Sequence, residues 1–391
     1  MARVTLLPIV AVAVSMVRAQ SGTTTSLEPL ASKHFTWPNI PYQVTGDEGG
    51  IRGPQFGYNL CNSTTENQQS LCQTSFLNSL DDFCMWSSSQ TDDTIGESEA
   101  REVAWCTKPG HGTRVLPPGT LQGAQFLYAK NYLQVVGFLD QTKVGLDPTD
   151  EGGELDPHGA DEQGNPLGGI VFTNGFGQNS ASYQSQFKAG GNGSQTFTQV
   201  IEWIDFIGGG IFCLKMCNPS DPNAAELCQH VYDEIGCNWN ALADYGSING
   251  TFSVCDSDDM TPPGVFTAPN GQLTTWFQPL NGPITTIPYT TTIPSSSNCV
   301  TYQSTDLYAA AASAFPTTTS GSSTATTTSG ASSSTGTAKS GSSSSGATSR
   351  TGSSTSSQPT NTSSSGALSI NSAPLAVGAL TGLALIMSIF A

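Results

Sequence analysis

Ten cysteines constrain this chain more than any other feature: Cys61, Cys72, Cys84, Cys106, Cys213, Cys217, Cys228, Cys237, Cys255 and Cys299. Their number is even and no C-x-x-C pair occurs, so they read as disulfides made in an oxidising compartment. A zinc ribbon or a thioredoxin-type redox pair would need that spacing. The cysteines form two groups, within 61–106 and within 213–299, around a cysteine-free middle. Two separately stapled lobes, with no bridge between the groups, is the simplest account; connectivity inside each group stays open. Each bridge is expected to stabilise the fold by roughly 2–4 kcal/mol.

The ends of the chain point to the same compartment. Residues 1–19 read as a secretory signal peptide, with Arg3, the apolar run VTLLPIVAVAV and small Ala19 before Gln20. The tail LAVGALTGLALIMSIFA, residues 375–391, follows a stretch of small and polar residues. That is the layout of a GPI attachment signal, and residues 366–391 are expected to be removed from an anchor on Ser365, within the window Ser363 to Gly366. The competing reading is a transmembrane span. The tail is near the lower limit of about 17–25 residues for one, and no Lys or Arg follows it. Residues 313–365 read as a Ser/Thr-rich stalk. From 317 onward it has no Val, Ile, Leu or aromatic residue, so it has nothing with which to build a core. Such tracts are typical acceptors of O-linked sugar, the alternative being a bare flexible linker. Extended, residues 317–365 would reach roughly 160 Å.

The expected globular head is residues 20–312. Thirteen Lys and Arg stand against 30 Asp and Glu, a formal net charge of -17, which disfavours nucleic acid and anionic lipid as partners. Sequons at Asn62, Asn192, Asn249 and Asn361 are candidate N-glycosylation sites. A helix is expected from a capping box at Ser63 and Glu66, with Cys72, Phe76, Leu80 and Phe83 at helical spacing. A second helix is expected over SDPNAAELCQHVYDEIG, stopped by Gly236. Between them GAQFLYA, NYLQVVGFL, GGIVFTNGF, TFTQVIEWIDFI and GIFCLKMC read as strands. The Pro/Thr-rich run TTWFQPLNGPITTIPYTTTIPSSSN reads as a loose exit segment. The predicted class is α+β: a disulfide-braced, mainly antiparallel β head with two or three short helices, followed by a disordered stalk.

No nucleophile elbow, zincin helix, phosphate loop or EF-hand spacing is present in the head. The one dense polar cluster is LDPTDEGGELDPHGADEQGNPLGG. Asp147, Asp150, Glu154, Asp156 and His158 within it are candidate metal ligands, since clustered carboxylates on a turning loop suit a hard cation. The same loop could hold a carboxylate pair for sugar hydrolysis, or be solvated surface without chemistry. His111, in WCTKPGHGTR, would complete a Cu²⁺ or Zn²⁺ site if it met His158 in space. The six Trp residues offer either sugar-stacking platforms or core.

The strings EVAWCTKPGHGTR, GGELDPHGADEQGNPLGG, LCQHVYDEIGCNWN and CDSDDMTPPGVF resemble the fungal immunoreactive mannoproteins, the macrophage-activating glycoproteins of basidiomycetes. The resemblance covers residues 55–305. It implies a GPI-linked, mannose-decorated surface or wall protein, read by host lectin-type receptors through its sugars, and it brings no catalytic residue and no cofactor. The expected role is therefore structural and interactive, not enzymatic, with cell-wall polysaccharide as partner and the membrane touched only by the lipid. Alternatives are a carbohydrate-binding adhesin and a wall-remodelling glycoside hydrolase.

Overall fold

The computed structural model of the protein describes residues 27–46, 50–190 and 196–315. The expected signal peptide, nearly all of the stalk, Ser365, the apolar tail, Asn192 and Asn361 lie outside the described residues. Among those described, no helix is long and apolar enough to cross a membrane.

The chain weaves between two sheets. Strands β1 (Thr74–Ser79), β2 (Asp82–Ser87), β3 (Val103–Cys106) and β4 (Arg114–Val115) start the first. Next, β5 (Leu121–Tyr128), β6 (Tyr132–Leu139) and β7 (Gly153–Leu155) belong to the second. The chain returns to the first sheet with β8 (Ile170–Thr173) and β9 (Thr198–Val200). It then crosses again for β10 (Trp203–Gly208), β11 (Ile211–Cys217) and β12 (Phe252–Ser257). A small hairpin, β13 (Val265–Thr267) and β14 (Leu273–Thr275), precedes the last strand, β15 (Ser296–Thr301). The first sheet has the order β4-β3-β2-β1-β8-β9 and the second β15-β12-β5-β6-β11-β10-β7. Pairing is antiparallel except for β1–β8, β3–β4 and β5–β12.

One core joins the sheets. Phe83 of the first stacks on Phe212 of the second at 5.9 Å, and Trp86 meets Trp203 at 4.4 Å. All four rings are buried, each contributing about 1.5–3 kcal/mol by leaving water. The Asp205 carboxylate of β10 accepts a 2.9 Å hydrogen bond from the Trp86 main-chain N–H across the same interface. This corrects the two-lobe expectation. The bridges do keep to their groups: Cys61–Cys72, Cys84–Cys106, Cys213–Cys237, Cys217–Cys228 and Cys255–Cys299. Yet the cysteine-free middle supplies strands to both sheets, so the two cysteine groups brace two layers of one body.

Both expected helices are corrected. Cys72, Phe76, Leu80 and Phe83 are buried as the spacing implied, but Cys72 precedes β1 and the other three belong to the β1–β2 hairpin. That hairpin is covered on both sides, so its apolar residues obey no single period. The 220–236 stretch holds only Ala224–Leu227 and a 3-10 turn, Asp233–Ile235. Bridges from Cys228 and Cys237 back to β11 replace a continuous helix with a clamped, irregular cover. The longest helix among the described residues, Ser180–Ala189, has Asn179 as its N-cap, accepting from Ser182 N, and left-handed Gly190 as its stop.

The cover seals the outer face of the second sheet. Ala241, Ala243 and Ile248 pack on Val136, Ile204, Phe206 and Cys213. Leu227, Cys228, Leu242 and Met260 pack on Tyr132 and Cys217. Strand alternation also puts Lys215 beneath this cover. Its Nζ donates to the Asn240 main-chain oxygen and lies 5.7 Å from the Tyr132 ring centre. Burial pulls the pKa of this ammonium down to about 7. The first sheet is covered instead by the N-terminal segment, where Trp37 sits edge-on against Phe76, Phe172 and Phe197.

Candidate functional site

The acidic stretch after β6 is divided by the fold. Asp147 is turned to its own loop, its Oδ1 accepting from Thr149 N and Oγ1 at 2.7 and 2.6 Å, which lowers its pKa. Asp150 accepts from Ile95 N at 3.0 Å and from Gly152 N at 3.2 Å. Gly152 has φ +90°, and a Cβ there would lie 2.1 Å from the Ile207 carbonyl oxygen. Only glycine lets the chain enter β7 this close to β10. Glu154 then falls on the buried outer side of β7, paired in register with Phe206. Asp156 caps the following turn, its Oδ1 accepting from His158 N and Gly159 N at 2.7 and 2.9 Å. Behind the turn Asp161 holds Arg52 with both oxygens, at 2.5 and 3.0 Å.

His158 points to another partner. Its Nε2 is 3.2 Å from Glu202, in the crossover between β9 and β10, and its ring stacks on His230 at 3.9 Å. Burial alone would lower the pKa of His158. The hydrogen bond and charge of Glu202, with Asp156 and Glu162, outweigh it and raise the pKa. His230 is shifted down, by burial and then by the neighbouring imidazolium. The five metal candidates thus do not converge on one point: Asp147, Asp150, Asp156 and His158 turn to loop or neighbouring groups, and Glu154 has no hydrogen-bond partner. Among the described residues no group of three His, Cys, Asp or Glu side chains is placed to hold a metal ion.

Nor does His111 share a site with His158. It stacks on Phe76 at 4.2 Å, and its Nε2 is 2.6 Å from Asp82, which Lys108 also approaches at 3.2 Å. Burial pushes the Asp82 carboxyl up, but His111, Lys108 and Asn78 prevail and hold it at about 2.

What the loop does form is one wall of a cleft of about 560 Å³. Glu99 enters from the 3-10 turn Glu99–Arg101, Glu154 and Asp156 from β7 and its exit, and His230, Asp233 and Glu234 from the cover. The bridges Cys217–Cys228 and Cys213–Cys237 bracket that last group and fix it to one strand, β11. Among the described residues no Lys or Arg lines the cleft. Glu154 is 7% exposed and neither of its carboxylate oxygens has a hydrogen-bond partner. Its pKa is raised well above the ordinary value, first by burial and then by Asp156 and Asp233, with the buried Lys215 opposing. Glu99 is raised as well, chiefly by burial, with Arg52 opposing and Asp156, Asp161 and Asp233 adding to the rise. The arrangement concentrates negative potential around a buried acid and favours a positively charged guest.

A second concavity, of about 510 Å³, lies where sequence reading expected a loose exit segment. The β13–β14 hairpin and the Pro-rich run after it fold back onto the cover. Trp239, Phe266, Tyr289 and Leu273 line this groove, with prolines between them. Phe266 stacks on Tyr289 at 5.0 Å, and Trp239 meets the same ring edge-on at 5.1 Å. Tyr289 is anchored by accepting from Gly264 N at 2.8 Å, and Trp276 by its carbonyl, which accepts from Tyr232 Oη at 2.6 Å. The aromatic content of this run was visible in the sequence, but its partner Trp239, distant along the chain, was not. Of the sequons, Asn62 and Asn249 are exposed, as attached sugar requires.

Fold and clefts together define a disulfide-braced, two-sheet protein with an acidic cleft and an aromatic groove built into a stapled cover. The chain belongs to the family of the appressorium proteins of the basidiomycete Mycosarcoma maydis. It is 38% identical over 231 residues to appressorium protein ROW2 of that fungus, a match covering 58% of this chain and 71% of the relative. It is 43% identical over 242 residues to appressorium protein ROW1, covering 60% of this chain and 52% of the relative. The chain thus spans about half the length of ROW1. No protein-family model matches the chain, and no solved structure matches it. Its relatives and its disulfides point to a fungal surface or cell-wall role.

Proposed function

We propose that the protein is an exported, GPI-tethered glycoprotein of the fungal surface whose head holds cell-wall polysaccharide and performs no catalysis. The aromatic groove carries this reading. Sugar rings present apolar C–H faces, and rings such as Trp239, Phe266 and Tyr289, fixed by their neighbours and half-exposed, are the surfaces on which such faces pack. The Ser/Thr stalk and the likeness to mannoproteins support a second role for the same molecule: display of sugar on Asn62, Asn249 and the stalk to host lectin-type receptors.

Two measurements test the reading. Pull-down of insoluble glucan and chitin by the deglycosylated mature protein should succeed, and Trp239→Ala should weaken it about tenfold, the scale of one lost stacking contact. A head that binds neither polysaccharide overturns the proposal. Phosphatidylinositol-specific phospholipase C, or a glucanase after transfer to wall, should release the protein from cells. Intact residues 375–391 in the mature protein would refute the lipid anchor.

A further inference from the structure

The acidic cleft is not needed for stacking neutral sugar, and its chemistry selects a different group. Its ionisable lining is Glu99, Glu154, Asp156, Asp233, Glu234 and His230. The nearest guanidinium, Arg52, is committed to Asp161, Asn165 and the Gly164 carbonyl. The buried Lys215 is committed to Asn240. Among the described residues no cation forms an ion pair with a carboxylate of the lining; Arg52 and the buried Lys215 act on Glu99 and Glu154 only through space and leave the lining predominantly acidic. Independently of the cluster, Glu154 at its floor is buried with two acceptor oxygens that no protein donor satisfies. Buried acceptors without donors are rare in folded proteins, and one lining a cleft is explained by a donor that arrives with a ligand.

The ligand's size and shape follow from the same residues. A bare divalent cation requires several oxygens converging at about 2.3–2.6 Å, and no such group exists among the described residues. About 560 Å³ is instead the volume of a small-molecule site. An ammonium on a carbon frame brings three N–H donors and one positive charge, which suits several carboxylates that do not converge on a point. Gly96, Gly152, Gly153 and Gly159 in the lining add no side chains, which leaves room for a ring.

We propose that this cleft binds the protonated amine of an amino sugar within a partly deacetylated polysaccharide. The preference for an ammonium rests on the cleft alone. The choice of sugar over basic peptide rests on the groove reading above, because Trp239 of the groove and Asp233 of the cleft belong to one stapled segment.

The test is calorimetric titration of the mature protein with glucosamine hexamer, N-acetylglucosamine hexamer and hexalysine. The glucosamine hexamer should bind at least tenfold more tightly than its acetylated counterpart. Glu154→Gln, near in shape to the native residue, and Glu234→Gln, at an exposed position, should each erase most of that difference. Melting curves establish that both variants fold, and the exposed variant keeps the test open if the buried one does not. Trp239→Ala should weaken both sugars equally. Equal affinity for the two sugars, or a preference that survives both cleft variants, overturns the ammonium site while leaving the groove intact. Affinities for both sugars that Trp239→Ala leaves unchanged uphold the cleft and remove the groove. Hexalysine binding as tightly as the glucosamine hexamer makes the site a peptide site and refutes the sugar assignment.

Discussion

The two sheets are finished on their outer faces in different ways. The first is covered by an N-terminal segment whose Trp37 plugs an aromatic nest, and its polar groups close on one another, as Asp82, His111 and Lys108 do. The second is covered by irregular chain that two disulfides fasten to β11, and there polar groups are left open, as Glu154 is. The contrast teaches where this fold can carry chemistry. A cover held by covalent bonds does not need every polar group satisfied to stay in place, so it tolerates the unpaired acid and exposed rings that binding requires.

The sharpest way to break the comparison is at the core that both sheets share. Phe212→Ala should cost about 3–5 kcal/mol, and both layers should melt in one transition. Two resolved transitions in a calorimetric scan would restore the two-lobe picture. A smaller but more local effect is expected from Cys217→Ser with Cys228→Ser. Opening this loop should cost roughly 3 kcal/mol. Hydrogen exchange should rise across 224–236 and not in β1–β3. Exchange rising equally in both sheets would mean that the cover is no separate layer.

The polar knot of the first sheet gives the next effect. Asp82 has a folded pKa near 2 against an ordinary value of 3.8. Its contribution is therefore present above about pH 4 and lost as pH falls through 2, on the order of 2 kcal/mol. Asp82→Asn should remove that part of the acid sensitivity, read from denaturant midpoints at pH 2 and 5. The smallest effect belongs to the stacked histidines. The raised pKa of His158 gives stability that is present below the unfolded value of 6.5 and lost as pH rises through the folded one. The lowered pKa of His230 acts in the opposite sense, so the two partly cancel. Proton NMR should place their midpoints on either side of 6.5, and Glu202→Gln should bring them together. Coincident midpoints in the native protein would dismiss the ion pair.

The sequence disclosed what local pattern controls. Strands β5, β6, β8 and β11 lie in the runs whose apolar content marked them, and the bridges stay within the two cysteine groups. It concealed what the tertiary structure decides. TFTQVIEWIDFI reads as one strand, yet at Ile201 and Glu202 it passes from one sheet to the other. The β1–β2 hairpin looked helical because burial on both faces erased its alternation. Glu154 could not be told from its acidic neighbours, because its burial depends on the close approach of Gly152 to Ile207. The aromatic groove needed Trp239 to meet Tyr289 across a long stretch of chain.

The Cys255–Cys299 bridge has a mechanical meaning. It joins edge strand β15 to β12, which lies inside the sheet, shortly before the chain leaves the head. Tension arriving from the C-terminal side meets Cys299 and passes through sulfur into β12, instead of unzipping the hydrogen bonds of β15 one by one. Pulled from its C-terminus, the oxidised head should yield no length beyond Cys299 until the whole sheet gives way. Once reduced, it should first pay out the 44-residue span between the two cysteines at low force. The bridge is thus a strain relief for any load applied from the C-terminal side of Cys299.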